Sequence, residues 1–258
     1  MNYFLLLGLI LFVYMSSWFV YSLIKKRNDV ADVAWGLGFV LLALSSFLFG
    51  EVRGVRGFLV LLLVAVWGIR LAWHIHKRNK GKLEDYRYAK WRQDWGKWFY
   101  LRSYAQVYLL QGALLFVIVL PVLLINNSSI QTLYSLELLD FVGLAIWILG
   151  FVFESVGDSQ LAKYIKNPEN KGKLMQSGLW KYTRHPNYFG EVTMWWGIWV
   201  VSLSASAVFW SVISPITITF LILKVSGVPM LEKKMEENPE FAEYKKRTSV
   251  FVPWFPRA

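Results

Sequence analysis

Residues 104–125 read YAQVYLLQGALLFVIVLPVLLI and decide the fold class, because these 22 consecutive residues include no charged side chain. A helix of about 20 predominantly apolar residues crosses the hydrocarbon core of a bilayer. Further segments meet that standard loosely at 3–24, 33–50, 57–75, 138–157, 189–204 and 207–223. The sequence therefore predicts an all-α integral membrane protein, with a single membrane domain over 1–258 and about seven spans in one bundle.

The composition supports a membrane protein and limits the chemistry that it can carry. The 258 residues are 56% hydrophobic and 17% charged, whereas soluble domains average about 45–50% apolar and about 25% charged residues. Cysteine is absent, which excludes disulfides and thiolate metal sites. The histidines are His74, His76 and His185, and they form no His-Glu-x-x-His pattern. We therefore expect no metal site.

The net charge of +11 would suit nucleic-acid binding, but its distribution favours a membrane topology. Of the 28 Lys and Arg residues, 25 fall in four segments, 25–32, 76–103, 158–188 and 224–258. These segments lie on the same side of the membrane in a seven-span chain. Cytoplasmic loops carry an excess of Lys and Arg, so we expect the amino terminus outside and the carboxyl terminus in the cytoplasm. We expect membrane lipids as partners and no nucleic acid.

A cluster of polar side chains lies immediately before and inside the apolar segment 189–204. Its members are Arg184, His185, Asn187, Tyr188 and Glu191. Pro186 is favoured in the first turn of a helix, which places Asn187 and Glu191 one turn apart on one face. Polar groups inside a membrane are costly and tend to be functional. The cluster predicts a site, and the alternative is a polar helix start that anchors the interface.

Three other polar groupings fall on the predicted cytoplasmic side. They are Glu154 and Asp158 with Lys163, Lys166, Lys171 and Lys173; Arg70, Arg78, Glu84, Asp85, Arg87 and Tyr88; and Asp29, Asp32 and Trp35. Each has a simpler interpretation: a solvated loop, an Arg70 side chain that snorkels to the interface, or aspartates that cap a helix. Their convergence predicts a cofactor pocket made from loops 76–103 and 158–188 and tail 224–258.

Several motifs resemble one known family over nearly the whole chain from about residue 29. They are Asp32-Val33-Ala34-Trp35-Gly36, Arg78 with Glu84-Asp85-x-Arg87-Tyr88, Gly178-Leu179-Trp180, Arg184-His185-Pro186-Asn187-Tyr188-x-Gly190-Glu191, and Thr248-Ser249-x-Phe251-x-Pro253-Trp254-Phe255-Pro256. The chain thus resembles the bacterial, DUF1295-type branch of the steroid 5-alpha-reductase family. That superfamily also includes sterol reductases and isoprenylcysteine and phospholipid methyltransferases.

The resemblance implies a seven-helix bundle in the bacterial inner membrane, with an NADPH pocket open to the cytoplasm. It implies reduction of a carbon–carbon double bond conjugated to a carbonyl, in a steroid-like or other lipophilic substrate. It leaves the oligomeric state open.

The resemblance also implies roles for individual residues. Asn187 would contact the nicotinamide amide, and Asp158 would contact the ribose or adenine half of NADPH. The phosphate candidates are Arg78, Arg87 and Lys173, and the further cofactor contacts are Arg184, His185, Glu154 and Tyr88. The catalytic candidates are Glu191, Tyr188 and Asp32, and the substrate candidates are Trp35 and Glu191.

Two other functions remain open from the sequence. A methyltransferase on the same fold would use S-adenosylmethionine, which has no phosphate and needs fewer cationic contacts. A transporter would place its polar groups near the midplane and show internal repeats, and neither pattern is visible. The resemblance also implies a second carboxylate inside the second span and a tyrosine on the third span. The second span has no acid beyond Asp32, and the third span has Trp67 and Trp73 instead of a tyrosine.

Overall fold

The computed structural model describes residues 2–51, 53–128, 135–205 and 209–257. Within these ranges the protein is all helical, with 79% helix and no strand, as the sequence predicts. The helices are α1 Tyr3–Lys25, α2 Val30–Phe49, α3 Val55–Asn79, α4 Tyr86–Trp95, α5 Phe99–Arg102, α6 Leu110–Asn126, α7 Leu138–Lys166, α8 Pro186–Leu203, α9 Ile213–Phe220, α10 Val228–Met235 and α11 Phe241–Arg247.

Six helical stretches among the described residues are long and apolar enough to cross a membrane, instead of the expected seven. They are Tyr3–Lys25, Val30–Phe49, Val55–Asn79, Tyr86–Asn126, Leu138–Lys166 and Phe209–Met235. The predicted span 189–204 lies in α8 except for its last residue. This helix has 18 residues and is not among the six because proline, asparagine, tyrosine and glutamate lower its hydropathy. The predicted span 207–223 begins at 207 and 208, which lie outside the described residues.

Part of the predicted cytoplasmic loop 76–103 is helical. A 3-10 turn, Gly96–Trp98, joins α4 to α5, and a π-helical segment, Ser103–Leu109, joins α5 to α6. The polar segment is therefore continuous with the span that follows it.

The chain divides into two compact units, which are described separately: Met1–Glu137 with Ser202–Ser211, and Leu138–Val201 with Val212–Ala258. The first unit has α2 at its centre, packed against α1, α3 and α6. A Cβ atom added at Gly36 would lie 2.7 Å from the Gly68 carbonyl oxygen, so α2 and α3 touch backbone to backbone. Small residues allow such close approach of membrane helices.

In the second unit, glycines form the contact between α7 and α8. A Cβ atom would lie 2.6 Å from the Gly197 oxygen if added at Gly143, and 2.6 Å from the Gly190 oxygen if added at Gly150. At Gly157 it would lie 3.2 Å from a ring carbon of Pro186. These α7 glycines recur every seven residues, about two helical turns. One edge of α7 therefore packs along α8 as far as Pro186, the first residue of α8.

Candidate functional site

The site residues predicted from the sequence divide between the two units. Asp32, Trp35, Arg78, Arg87 and Tyr88 belong to the first unit, and Glu154, Asp158, Lys173, Arg184, His185, Asn187, Tyr188 and Glu191 belong to the second.

In the first unit, Asp32 is the acceptor of a compact polar cluster. Asp32 lies in the first turn of α2, where it accepts hydrogen bonds from Arg87 Nη2 at 2.9 Å and from Tyr88 Oη at 2.6 Å. Arg78 Nη2 lies 4.0 Å from the same carboxylate. Tyr88 is only 2% exposed. Four predicted residues thus meet in one place, where they join the start of α2 to the start of α4.

Asp85 begins α4 and strengthens this cluster. Its carboxylate accepts from the Arg87 backbone N–H at 3.0 Å and from Arg87 Nε at 2.9 Å, so it caps the helix and pairs with the guanidinium. Burial acts to raise the pKa of Asp85, but the hydrogen bonds and charge of Arg87 outweigh it, and the pKa lies below its usual value.

Asp29 and Glu84 make similar contacts next to this cluster. Asp29 Oδ1 and Oδ2 accept from Arg27 Nε and Nη2, each at 2.6 Å. Although Asp29 is the first residue before α2, its side chain does not cap the helix. Glu84 Oε1 accepts from Arg92 Nη2 at 3.1 Å. The contacts of these carboxylates hold the helix ends together. The capping interpretation made from the sequence is therefore wrong for Asp29, because its carboxylate pairs with Arg27 and makes no cap hydrogen bond.

Trp35 lies one turn beyond Asp32 on α2. Its ring meets Phe39 edge to face, with the ring centroids 5.1 Å apart, and Phe39 in turn meets Trp67 at 5.2 Å. Trp35 is half-buried. Trp35, the predicted substrate residue, therefore lies beside other aromatic rings.

In the second unit, Arg184 and His185 lie immediately before α8 and share one acceptor. Arg184 Nε donates to Glu232 Oε1 at 2.8 Å, and His185 Nε2 lies 3.1 Å from the same oxygen. Arg184 is 5% exposed and His185 is fully buried. Both predicted cofactor residues are thus engaged with α10.

The carboxyl-terminal tail is attached to the same place. The Arg184 backbone N–H donates to the Ser249 oxygen at 2.9 Å, and Thr183 pairs with Ser249 in an isolated parallel bridge. Thr183 Oγ1 donates to the Phe251 oxygen at 2.8 Å, and Arg184 Nη1 donates to the Thr248 oxygen. The turn before α8 and the tail therefore form one structural element.

Asn187 and Asp158 are brought together by the glycine contact between α7 and α8. Asn187 Nδ2 donates to Asp158 Oδ1 at 3.2 Å. Glu154, one turn earlier on α7, is also buried, and its backbone nitrogen would lie 2.5 Å from a Cβ atom at Gly190. Glu154 and Asp158 are four residues apart and share a face of α7, and this is the face that meets α8.

Tyr188 and Glu191 lie on the first turns of α8, and both are half-buried. Because α8 begins at Pro186, Asn187 and Glu191 are one helical turn apart, as predicted. The Tyr188 ring stacks on His185 with centroids 5.5 Å apart and planes inclined by 15°. The start of α8 therefore presents an amide, a phenol and a carboxylate along one stretch.

The turn before α8 depends on one glycine, and Lys173 precedes it. Gly178 has φ +62°, and a Cβ atom there would meet the Gln160 side chain at 2.5 Å. Gln160 Oε1 accepts from the Leu179 N–H at 2.9 Å, which fastens the turn to α7. Lys173 is exposed, so its ammonium group remains available to an anion from solvent.

Sequence reasoning missed Glu232. It lies in the charged stretch 230–246 among lysines and glutamates of similar appearance, and nothing in its neighbours marks it as the partner of Arg184 and His185. Its burial distinguishes it, since Glu232 is half-buried whereas Glu236 and Glu237 are exposed.

Comparisons with known proteins agree with the motifs. A family model described as "Protein of unknown function (DUF1295)" matches residues 18–248. The chain belongs to this family. An uncharacterized protein of Schizosaccharomyces pombe is 23% identical over 261 residues, covering 90% of this chain and 74% of the relative.

Two further relatives bear on the chemistry. The 3-oxo-5-alpha-steroid 4-dehydrogenase 1 of Rattus norvegicus is 26% identical over 43% of this chain, and that of Mus musculus is 28% identical over 43%. The matches span 40% and 41% of those two proteins. No solved structure matches the chain. The predicted likeness to a steroid 5-alpha-reductase-like family is confirmed.

Proposed function

We propose that the protein is a membrane reductase that uses NADPH to reduce a carbon–carbon double bond conjugated to a carbonyl in a lipophilic, steroid-like substrate. The observation that carries the proposal is the Asn187–Asp158 hydrogen bond of 3.2 Å between α8 and α7, with Glu191 one turn further along α8. The distant similarity to two 3-oxo-5-alpha-steroid 4-dehydrogenases supports the same reaction class.

The side chains at the start of α8 have the chemistry that a dinucleotide requires. An Asn amide suits the nicotinamide carboxamide, and a carboxylate such as Asp158 suits the hydroxyl groups of a ribose. His185 Nδ1 is buried with no hydrogen-bond partner in the described part of the chain, which leaves one more position for a polar contact. Lys173 is the exposed cation of this unit that we assign to a phosphate.

NADPH supplies a hydride when bound, and the protein's own groups manage the proton. Glu191 in its protonated form would donate a hydrogen bond to the substrate carbonyl oxygen while the hydride reaches the β carbon. Tyr188, three residues earlier on α8, would help to deliver the proton that the α carbon takes up. The double bond thereby becomes a single bond with one hydride and one proton added.

The roles of the first-unit residues remain part of the proposal. Arg78 is exposed, and its guanidinium lies 4.0 Å from the Asp32 carboxylate. Asp32, Arg87 and Tyr88 already bind one another, so we assign them to holding that cluster together. A location in a bacterial inner membrane, with the amino terminus outside, remains a prediction.

The test is ligand binding followed by turnover, using the full chain in detergent. We expect NADPH to raise the melting temperature and S-adenosylmethionine to leave it unchanged. With a 3-oxo-4-ene steroid as the first substrate, Glu191→Gln should lose turnover while its NADPH affinity stays within about twofold, because Gln cannot donate a proton as an acid does.

Two further variants make the binding test specific. Asp158→Asn should weaken NADPH binding, and Glu237→Gln, an exposed carboxylate in the same unit, should not. A response to S-adenosylmethionine without a response to NADPH would overturn the proposal in favour of the methyltransferase.

A further inference from the structure

Glu232 holds two buried side chains with a single oxygen. Its Oε1 lies 2.8 Å from Arg184 Nε and 3.1 Å from His185 Nε2. A carboxylate paired with a guanidinium is ionised and can only accept hydrogen bonds. His185 Nε2 must therefore carry the proton in this contact.

The orientation of the His185 ring follows from its neighbours. Tyr188 stacks on one face at 5.5 Å, and the His185 backbone N–H donates to Thr183 Oγ1 at 3.3 Å. With Nε2 facing Glu232, the second ring nitrogen, Nδ1, points away from this carboxylate. Nδ1 is buried and has no hydrogen-bond partner among the described residues, although buried polar atoms are normally paired.

We propose that Glu232 is a positioning residue that fixes His185 so that Nδ1 forms a hydrogen bond with a hydroxyl or amide group of the bound cofactor. The inference rests on the proposed NADPH-dependent function and adds a residue and an atom to it. Glu232 does not touch the cofactor in this scheme. It acts through His185, and its bond to Arg184 keeps the carboxylate in place.

The two amide variants of His185 separate its two nitrogens. In His185→Gln the side-chain amide reaches the Nε2 position, so the contact with Glu232 is kept and the Nδ1 contact is lost. In His185→Asn the amide stays near the Nδ1 position, so the ligand contact is kept and the Glu232 contact is lost. We expect His185→Gln to melt near wild type yet bind NADPH about tenfold more weakly, the effect of one lost hydrogen bond.

A double-mutant cycle tests whether Glu232 acts through His185. Glu232→Gln should weaken NADPH binding about tenfold in the wild type and less than about twofold in the His185→Gln background, since effects on one contact are not additive. Glu236→Gln is the matched control, because Glu236 is one turn further on and forms an exposed pair with Lys245 at 3.5 Å. Additive effects, or an equal effect of Glu236→Gln, would overturn the proposal.

A second measurement needs no cofactor and separates this inference from the proposed function. Hydrogen exchange at the imidazole C2 position of His185, followed by mass spectrometry, reports how firmly the ring is held. Exchange should be at least about threefold faster in Glu232→Gln and unchanged in Glu236→Gln. Failure of the wild type to bind NADPH would reject the proposed function, whereas unchanged exchange in Glu232→Gln would reject the positioning role.

Discussion

Replacement of Gly190 by alanine should separate α7 from α8 and destabilise the protein. A Cβ atom at Gly190 would lie 2.4 Å from the Gly150 oxygen and 2.5 Å from the Glu154 backbone nitrogen. Real Cβ atoms essentially never approach other atoms below 3.0 Å. Both neighbours are backbone atoms, so they cannot rotate away as a side chain would, and one helix must move.

The expected magnitude combines two opposing effects. Overpacking costs about 1–3 kcal/mol, and the upper end applies because the obstacles are backbone atoms. Replacing a helical glycine by alanine gains up to about 1 kcal/mol. The net loss of about 2 kcal/mol corresponds to a melting temperature lower by about 4–8 °C for a chain of this size.

Thermal unfolding in detergent, followed by tryptophan fluorescence, measures this effect. Gly8→Ala is the control, because a Cβ atom at Gly8 in α1 meets nothing within 4 Å. Since the Asn187–Asp158 bond crosses the same contact, Gly190→Ala should also weaken NADPH binding. If Gly190→Ala melted at the same temperature as Gly8→Ala, the close contact between the two helices would be refuted.

Two further predictions concern the ends of the helices. Because the pKa of Asp85 is lowered in the folded protein, its contribution to stability is present above the unfolded value of about 4 and is lost as the pH falls through the folded value. Between roughly pH 5 and pH 3, the melting temperature of Asp85→Asn should therefore fall less than that of the wild type. Glu243→Gln, which replaces an exposed carboxylate, should show the same fall as the wild type. Thr183→Val removes the 2.8 Å hydrogen bond to the Phe251 oxygen and should cost about 1 kcal/mol, with faster proteolysis of the tail. Thr183→Ser should retain the hydroxyl contact, and equal cleavage of both variants would contradict its role.

The membrane spans and the start of α8 could be predicted because their signals are local in the chain. A long apolar run identifies a span wherever the other helices lie. Likewise, Pro186 marks the first residue of α8, which fixes the spacing of Asn187 and Glu191 on one face.

The helices within 86–102 also have a local signal in the sequence. Tyr88, Trp91, Trp95 and Phe99 recur at intervals of three or four residues, which is the helical period. Their rings meet in sequence at centroid distances of 5.3, 5.4 and 6.1 Å. An aromatic stripe, read alongside the charges, would have predicted this helix.

The sequence by itself determined the helical class, the apolar segments and the residue types at the start of α8. The tertiary structure decided which of those polar residues are already engaged. Arg184 and His185 meet Glu232, 48 and 47 positions away, and the tail packs against the turn before them. Apolar length and helical spacing act between near neighbours, whereas burying a cation requires a partner that only the folded chain can bring.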